Sequence, residues 1–490
     1  MAVCVATGGC SCQWVGCTGN WVHRVPAACA AKPVVPFCSN VPHCPPEPAV
    51  TVIKVGGSTL RTPIDFERLA QRIGTDHASP MVVVVSALPQ VTRQLEQAAL
   101  LAENGQQEQA QSLIATVVTH HRNVARQVLH ERHVIEALEM LFDELYQQLL
   151  RLVQGTALTR ELTPRTRDRI TSCGERMALH LIHHVLVEEG VEVTSVPATG
   201  VIVTDATYGN AEPLYEQTAE RVQQRILPIL QRGCSVLTEG FVGTTRDGDV
   251  TTMGKESSNL TAALLARVIG AENLVLYTPV AGIYTADPLL VPTARPIACL
   301  SYQHAEHLAH AGLKLLYPTM IAPLREQSIQ LRIAALDPSE SHATCIGNDG
   351  DEVEMFVLLA ERLCGVELTR SSYRSALERG WHASGIIAEH GMRVIAAATA
   401  VELAALEHLG IAAYQRGECW QIRVWAYASR PAVHRHIAAT LSQLPSLAAL
   451  TAAHSDDIST TTALTWSAAL PPLVALHEQI AEDFPHLQGG

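Results

Sequence analysis

Short β-branched runs alternate with longer helical patterns beyond Pro48, and this alternation sets the fold available to the chain. "VTVIKV" (Val50 to Val55) and "MVVVVSA" (Met81 to Ala87) are apolar at nearly every position. A strand built from either is buried on both faces, as in a parallel sheet covered by helices. Between them the spacing predicts a helix from Pro63 to Ile73, and beyond them a long helical region from Val91 to about Gln154. A further helix runs from Pro164 to Glu189 and ends at Gly190, a residue suited to a left-handed C-terminal cap. Strand-like runs then return at "VEVTSVPA", "GVIVTDA", "CSVLTEGF" and "NLVLYTPV", with helices expected from Pro213 to Gln231 and from Ser258 to Ile269. "SYQHAEHLAHAG" reads as a helix closed by Gly312, and "IQLRIAAL" as a last strand. The fold class is α/β with a mostly parallel sheet, in which ligands sit at the carboxyl ends of the strands.

At 490 residues the chain needs more than one domain. Residues 337–351 form a polar linker. Beyond it, "VEMFVLLA", "MRVIAAAT", "CWQIRVWAY" and "TTALTWSA" alternate with helices such as "AVELAALEHLG", "PAVHRHIAATLSQL" and "PPLVALHEQIAEDF". Two small α+β units of similar order account for residues 352–490. Residues 1–48 differ in texture, holding seven of the 13 cysteines in a Pro-, Ala- and Val-rich stretch. Cys10 and Cys12 with His23 and His43 match no common zinc spacing, so this segment is expected to be a disordered or non-native extension.

A formal charge of -13 argues against nucleic acid as a partner. No apolar run is long enough to span a membrane and no secretory signal is evident, so a cytoplasmic setting is expected. His180, His183 and His184 share a helical face, as do His304, His307 and His310. No Cys or carboxylate pattern completes either set, and no structural metal site is expected.

Five segments can carry chemistry. In "IKVGGSTL", Lys54 ends the first strand and Gly56 and Gly57 form the turn; the segment suits a phosphate, or is ordinary turn chemistry. In "RDRITSCGERMALHL", Glu175 suits an ammonium group, or stabilises a helix dipole. "DGDVTTMGKESSNLTAALLA" is not a Walker loop. Five residues separate Gly248 from Gly254, and Glu256 follows Lys255 where a hydroxyl is required. It still reads as a hydroxyl-rich loop leading into a helix N-terminus. "LYTPVAGIYTADP" offers Tyr284 to wall a nucleotide pocket, and "HAGLKLLYP" places Lys314 just past a helix end.

In this order, "KVGGSTL", "VVVSALPQVT", "ELTPRTRDRITSCGE", "GFVGTTRDGDVTTMGKESSNLTAALLA", "TPVAGIYTADP" and "LSYQHAEHLAHAGLKLLYP" resemble the aspartokinases of the amino-acid-kinase family. The resemblance covers about Val50 to Leu336. It implies a three-layer kinase domain over 49–336 and, over 352–490, paired ACT-like regulatory domains, with "ALHEQIAEDF" similar to their final helix. The activity implied is transfer of the ATP γ-phosphoryl group to the side-chain carboxylate of L-aspartate, the first step toward lysine, threonine and methionine. Lys54 would neutralise the transferring phosphoryl group, cradled by the amides of Gly56 and Gly57 with Ser58. Glu175 would hold the substrate amino group, and Lys255, Ser258 and Thr92 its carboxylates, with Asn259 in the same loop. Thr278, Tyr284 and Lys314 would line the nucleotide site, and Mg2+ would enter with the nucleotide. Lysine or threonine as effector, and homo-oligomers formed through the regulatory domains, belong to the same resemblance.

The chain departs from the pattern where the family carries Gly-Arg-Gly-Gly-Ser-Asp and this sequence has Gly254-Lys255-Glu256-Ser257-Ser258-Asn259. Pro279 and Leu289 stand where an aspartate and an arginine are usual, and Val55 replaces a phenylalanine. These changes motivate two alternatives: a non-catalytic amino-acid-sensing relative, and a kinase of the same fold acting on another small carboxylate.

Overall fold

The computed structural model describes residues 50–75, 79–254, 257–348, 354–378, 385–390, 392–399, 402, 403, 406, 411–428, 431–444, 447–455, 458–466 and 472–485. The expectations for residues 1–48 and for Lys255 lie outside these. An eight-stranded sheet organises the first part of the chain. From one edge to the other its strands are Cys299–Ser301, Ala343–Gly347, Gln330–Ala335, Asn273–Thr278, Thr51–Val55, Met81–Val85, Ser235–Glu239 and Val193–Ser195. Every pairing is parallel except that of Gln330–Ala335 with Ala343–Gly347.

The β-branched composition of the central strands explains their place. Val52, Val82 and Val84 point into one core and Ile53, Val83 and Val85 into another, all fully buried. At about 1.5–3 kcal/mol for each large aliphatic side chain removed from water, these strands anchor both layers. Helices Pro63–Thr75, Val91–Glu103, Gln107–Val128, Arg132–Thr159 and Pro164–Glu188 lie with the first core, and Ser257–Ile269, Tyr302–His310 and Pro318–Glu326 with the second.

Several segments differ from the sequence reading. The long helical region is three helices, interrupted at Gly105 (φ 75°) and at Leu129, whose backbone is extended. The Pro213 to Gln231 segment starts at Tyr215 and breaks after Arg225, because Pro228 lacks the amide hydrogen that a continuous helix needs. "GVIVTDA" forms no strand; Val203 and Thr204 make only isolated bridges, to Thr244 and Pro213. The linker expected at 337–351 contributes Ala343–Gly347 to the large sheet, since Ile346 packs into the second core and the buried Thr344 hydroxyl accepts from the Ile283 amide and donates to the Ile297 carbonyl. Gly190 (φ 79°) and Gly312 (φ 101°) do sit past helix ends in the left-handed region.

The two small units share one six-stranded sheet. Its order is Gly385–His390, Arg393–Ala398, Met355–Thr369, Tyr414–Tyr427, Ile458–Trp466, Leu447–Ser455, antiparallel throughout. The chain order is a strand, helix Arg370–Glu378 and two strands, then a strand, helix Pro431–Ser442 and two strands, closed by helix Leu473–Asp483. The two halves meet through their first strands, which is why the units are not separable.

This sheet is joined to the first by backbone and by packing. Leu358 donates to the Thr285 carbonyl at 2.8 Å, and Trp425 is fully buried in the same core as Tyr302 and Leu308. The Trp425 ring meets His304 edge-on with centroids 5.8 Å apart. Among the described residues no helix is long and apolar enough to cross a membrane. Trp425→Ala is expected to cost about 3–5 kcal/mol. Thermal melts followed by circular dichroism should show an earlier transition in this variant; an unshifted one would mean the junction contributes little.

Candidate functional site

The Thr51–Val55 strand delivers Lys54 to its carboxyl end, and the next residues turn sharply. Gly56 donates to the Tyr277 carbonyl at 3.4 Å, and Gly57–Thr59 forms a single 3-10 turn. A Cβ on Gly57 would collide with the Ala87 carbonyl oxygen, so only glycine lets this turn reach the end of the Met81–Val85 strand. Lys54 Nζ lies 3.2 Å, Thr59 Oγ1 3.5 Å and Ser58 Oγ 3.8 Å from where a Cβ on Gly56 would stand. The Lys54 ammonium and the Ser58 hydroxyl therefore converge above a bare backbone, an arrangement suited to phosphate oxygens, while Thr59 Oγ1 donates to the Tyr277 carbonyl at 3.2 Å.

Beside this turn, helix Pro164–Glu188 buries Glu175, 3% exposed. Thr92 Oγ1 donates to Glu175 Oε1 at 3.2 Å, while Oε2 is buried with no hydrogen-bond partner. Burial, with the nearby Glu239 charge adding to it, pushes the Glu175 carboxyl up to about 8 against the bonds from Thr92 and Ala87. A buried carboxyl with one vacant oxygen is a site for a cation with N–H donors. Thr92 is positioned by Gln90, which holds the left-handed region (φ 67°) where a side chain is unfavourable.

The hydroxyl-rich loop ends at Ser257–Ile269, whose first residues Ser257, Ser258 and Asn259 are buried. Gly254 has φ 87°, and its carbonyl accepts from Ser257 Oγ at 2.7 Å. Ser258 packs so closely on Gly240 that a Cβ there would overlap it. Asn259 Oδ1 is buried without a partner. Thr278 is the last residue of the strand beside that of Lys54 and donates to the Val280 carbonyl at 2.6 Å. Tyr284 and Lys314 line a separate cavity of about 310 Å³, with Leu289 on its wall and 85% exposed. Lys314 is paired with Glu361 of the six-stranded sheet at 3.2 Å.

Lys54, Gly56, Gly57, Ser58, Thr92 and Glu175 thus fall in one neighbourhood of strand ends around Ala87, with Ser258 and Asn259 reached through Gly240. Tyr284 and Lys314 form a second group, and Thr278 begins the loop that leads to it.

Four residues of this region escaped sequence reasoning. Glu239 ends its strand buried, accepting from the Ala198 amide at 3.0 Å, and burial raises its carboxyl above the usual range. Gly240 and Phe241 (φ 69°) make the turn under Ser258. Asp168 accepts from the Thr252 amide and hydroxyl, both at 2.8 Å, and from the Gly209 amide at 2.9 Å, binding the loop to the Glu175 helix. Only the strand-end position of "TEGF" signalled any of them. Of the two histidine sets, burial lowers His180 to about 4 and His304 packs against Tyr427 with ring centroids 4.3 Å apart, whereas His310 is exposed.

The sequence profile of the amino acid kinase family matches residues 49–335, more than half of the chain, and the chain belongs to that family. It is 29% identical over 347 residues to lysine-sensitive aspartokinase 3 of Escherichia coli (strain K12), covering 70% of this chain and 75% of that protein. It is 29% identical over 292 residues to a chloroplastic aspartokinase 1 of Arabidopsis thaliana, covering 58% of this chain and spanning 49% of the relative's length. The crystal structure of E. coli aspartokinase III in complex with aspartate and ADP (R-state) shares the fold, with TM-score 0.69 at 20% identity over 89% of this chain and 99% of that one. The small antiparallel domains are part of that likeness.

Glu175 also sets a pH dependence. Its carboxyl keeps a proton in the folded protein up to about pH 8, whereas the unfolded chain releases it near 4.5. The unliganded fold therefore loses stability as pH rises through that window. Glu175→Gln should melt higher than the parent at about pH 8.5 and show a smaller difference at about pH 5. An equal difference at both would contradict the buried, protonated state.

Proposed function

We infer that the protein is an aspartokinase, transferring the γ-phosphoryl group of ATP to the side-chain carboxylate of L-aspartate and forming 4-phospho-L-aspartate in amino-acid biosynthesis. The observation that carries this reading is Glu175, buried with one vacant oxygen beside the Lys54 turn. An amino-acid substrate brings the ammonium that such a carboxylate lacks.

In this reading the Glu175 carboxylate binds the substrate ammonium, giving up its proton as the cation arrives. Thr92, Ser258 and Lys255 hold the two substrate carboxylates, and Asn259 offers its side-chain oxygen to the ammonium. A side-chain carboxylate oxygen attacks the γ-phosphorus while the bond to the β,γ-bridging oxygen breaks and ADP leaves. Lys54 and the amides of Gly56 and Gly57, with Ser58, neutralise the charge on the phosphoryl oxygens, which is most of what such a transfer asks of a protein. No proton need be removed from the nucleophile. Thr278, Tyr284 and Lys314 line the nucleotide side.

Mg2+ would enter with the nucleotide and would help to neutralise the charge of its phosphates. Among the described residues no group of three or more His, Cys, Asp or Glu side chains is placed to hold a metal. The six-stranded sheet serves regulation and homo-oligomer assembly, and lysine is the first effector to test, given the lysine-sensitive relative.

A second reading, a kinase of this fold for another small carboxylate, draws on Asn259, whose unpartnered Oδ1 stands where the family has an aspartate. A hydroxamate assay for acyl phosphate with ATP, Mg2+ and a panel of amino and dicarboxylic acids separates the two. L-aspartate should give product, and Lys54→Ala should lower kcat by at least about 100-fold. Product with a different acid and none with aspartate would transfer the reading to that acid.

A further inference from the structure

The cavity that holds Tyr284 and Lys314 is walled on its far side by the regulatory sheet. Strand Met355–Thr369 contributes Val357 to Glu361, and strand Tyr414–Tyr427 contributes Gln421 and Arg423. Three of its charged side chains form a chain of contacts. Lys314 Nζ is 3.2 Å from Glu361 Oε1, and Arg423 Nη2 is 3.7 Å from Glu361 Oε2. Arg423 Nη1 in turn donates to the Ala311 carbonyl at 2.6 Å, at the end of helix Tyr302–His310. That carbonyl lies at the negative end of the helix dipole, and a cation there fixes the turn. Gly312 makes the contact possible, because a Cβ at this position would overlap the Arg423 guanidinium. The regulatory sheet thus holds both the turn that precedes Lys314 and the ammonium itself.

Two facts give Glu361 a function beyond that of a tether. Lys314 is 74% exposed, so its pair with Glu361 is a weak one that an arriving anion can displace. Leu289, on the wall of the same cavity, supplies no cation to share the load. On the reading that this cavity takes the nucleotide, on which this inference rests, we propose that Glu361 is a positioning residue of the nucleotide site. Its carboxylate is the internal counter-ion of Lys314 and competes with the nucleotide's phosphates for that ammonium. Because Glu361 belongs to the regulatory sheet, nucleotide affinity is set partly by where that sheet holds one carboxylate.

The test is a double-mutant cycle on the full chain, reading equilibrium binding of a non-hydrolysable ATP analogue with Mg2+. Glu361→Gln should tighten binding by about two- to five-fold, the range an exposed ion pair spans, and lower the KM for ATP while leaving the KM for aspartate unchanged. Glu361→Asp, which keeps the charge, should stay near the parent. Lys314→Ala should weaken binding, and in that background Glu361→Gln should have no further effect. Unchanged or weaker binding in Glu361→Gln, or the same gain without Lys314, would overturn the competition. Parent-like binding by Lys314→Ala would overturn the assignment of this cavity to the phosphates, while absence of binding by the parent protein would remove the nucleotide reading itself.

Discussion

Burying a carboxyl group without a counter-ion is costly, and much of the kinase domain is arranged around one such group. Glu175 lies on a helix whose neighbour, Gly174, would meet Val91 at 2.8 Å if it carried a Cβ. That close packing brings Thr92 into reach of Glu175, and the same region of strand ends holds Ala87, Glu239 and the Gly57 turn. Burial and the Glu239 charge both oppose ionisation and push this carboxyl up to about 8. A substrate ammonium would reverse that balance. The cost of an unsatisfied oxygen in the unliganded protein is thereby matched to a ligand of one charge type, which is how a buried polar group confers specificity.

The six-stranded sheet is bound to the kinase domain at three levels. Its first strand shares a backbone bond with Thr285, its Trp425 completes a core of the kinase domain, and its last helix reaches back through His477. The His477 ring lies 2.9 Å from Thr285 Oγ1, the atom that also accepts from the Arg295 amide. Thr285 follows Tyr284 directly, so the loop that walls the Tyr284 and Lys314 cavity is held by the final helix and by the central strands of the sheet. A displacement of the sheet has a short path to the cavity wall.

The β-branched runs made the parallel sheet legible, because continuous apolar strands have no other stable setting, and glycines 190 and 312 marked helix ends through their backbone freedom. The Lys54 turn and Glu175 were legible as types of residue at strand and helix ends. Features that depend on partners distant in sequence were not. Asp168 and Thr252 meet across 84 positions, and nothing local to either predicts it. The left-handed Gln90 and Phe241 run against side-chain preference and are held by packing. Ala343–Gly347 looked like linker because its polar neighbours hid a short alternation, and the single sheet formed by residues 352–490 depends on a strand pairing that no local pattern encodes.

On the proposed reading, Glu175 binds the substrate ammonium and ionises in doing so. Calorimetry of L-aspartate binding at about pH 7, with a non-hydrolysable ATP analogue and Mg2+ and in buffers of different ionisation enthalpy, measures the protons exchanged. Release of about one proton per aspartate bound is expected for the parent protein and none for Glu175→Gln. Proton-neutral binding by the parent, or equal release by the variant, would contradict it.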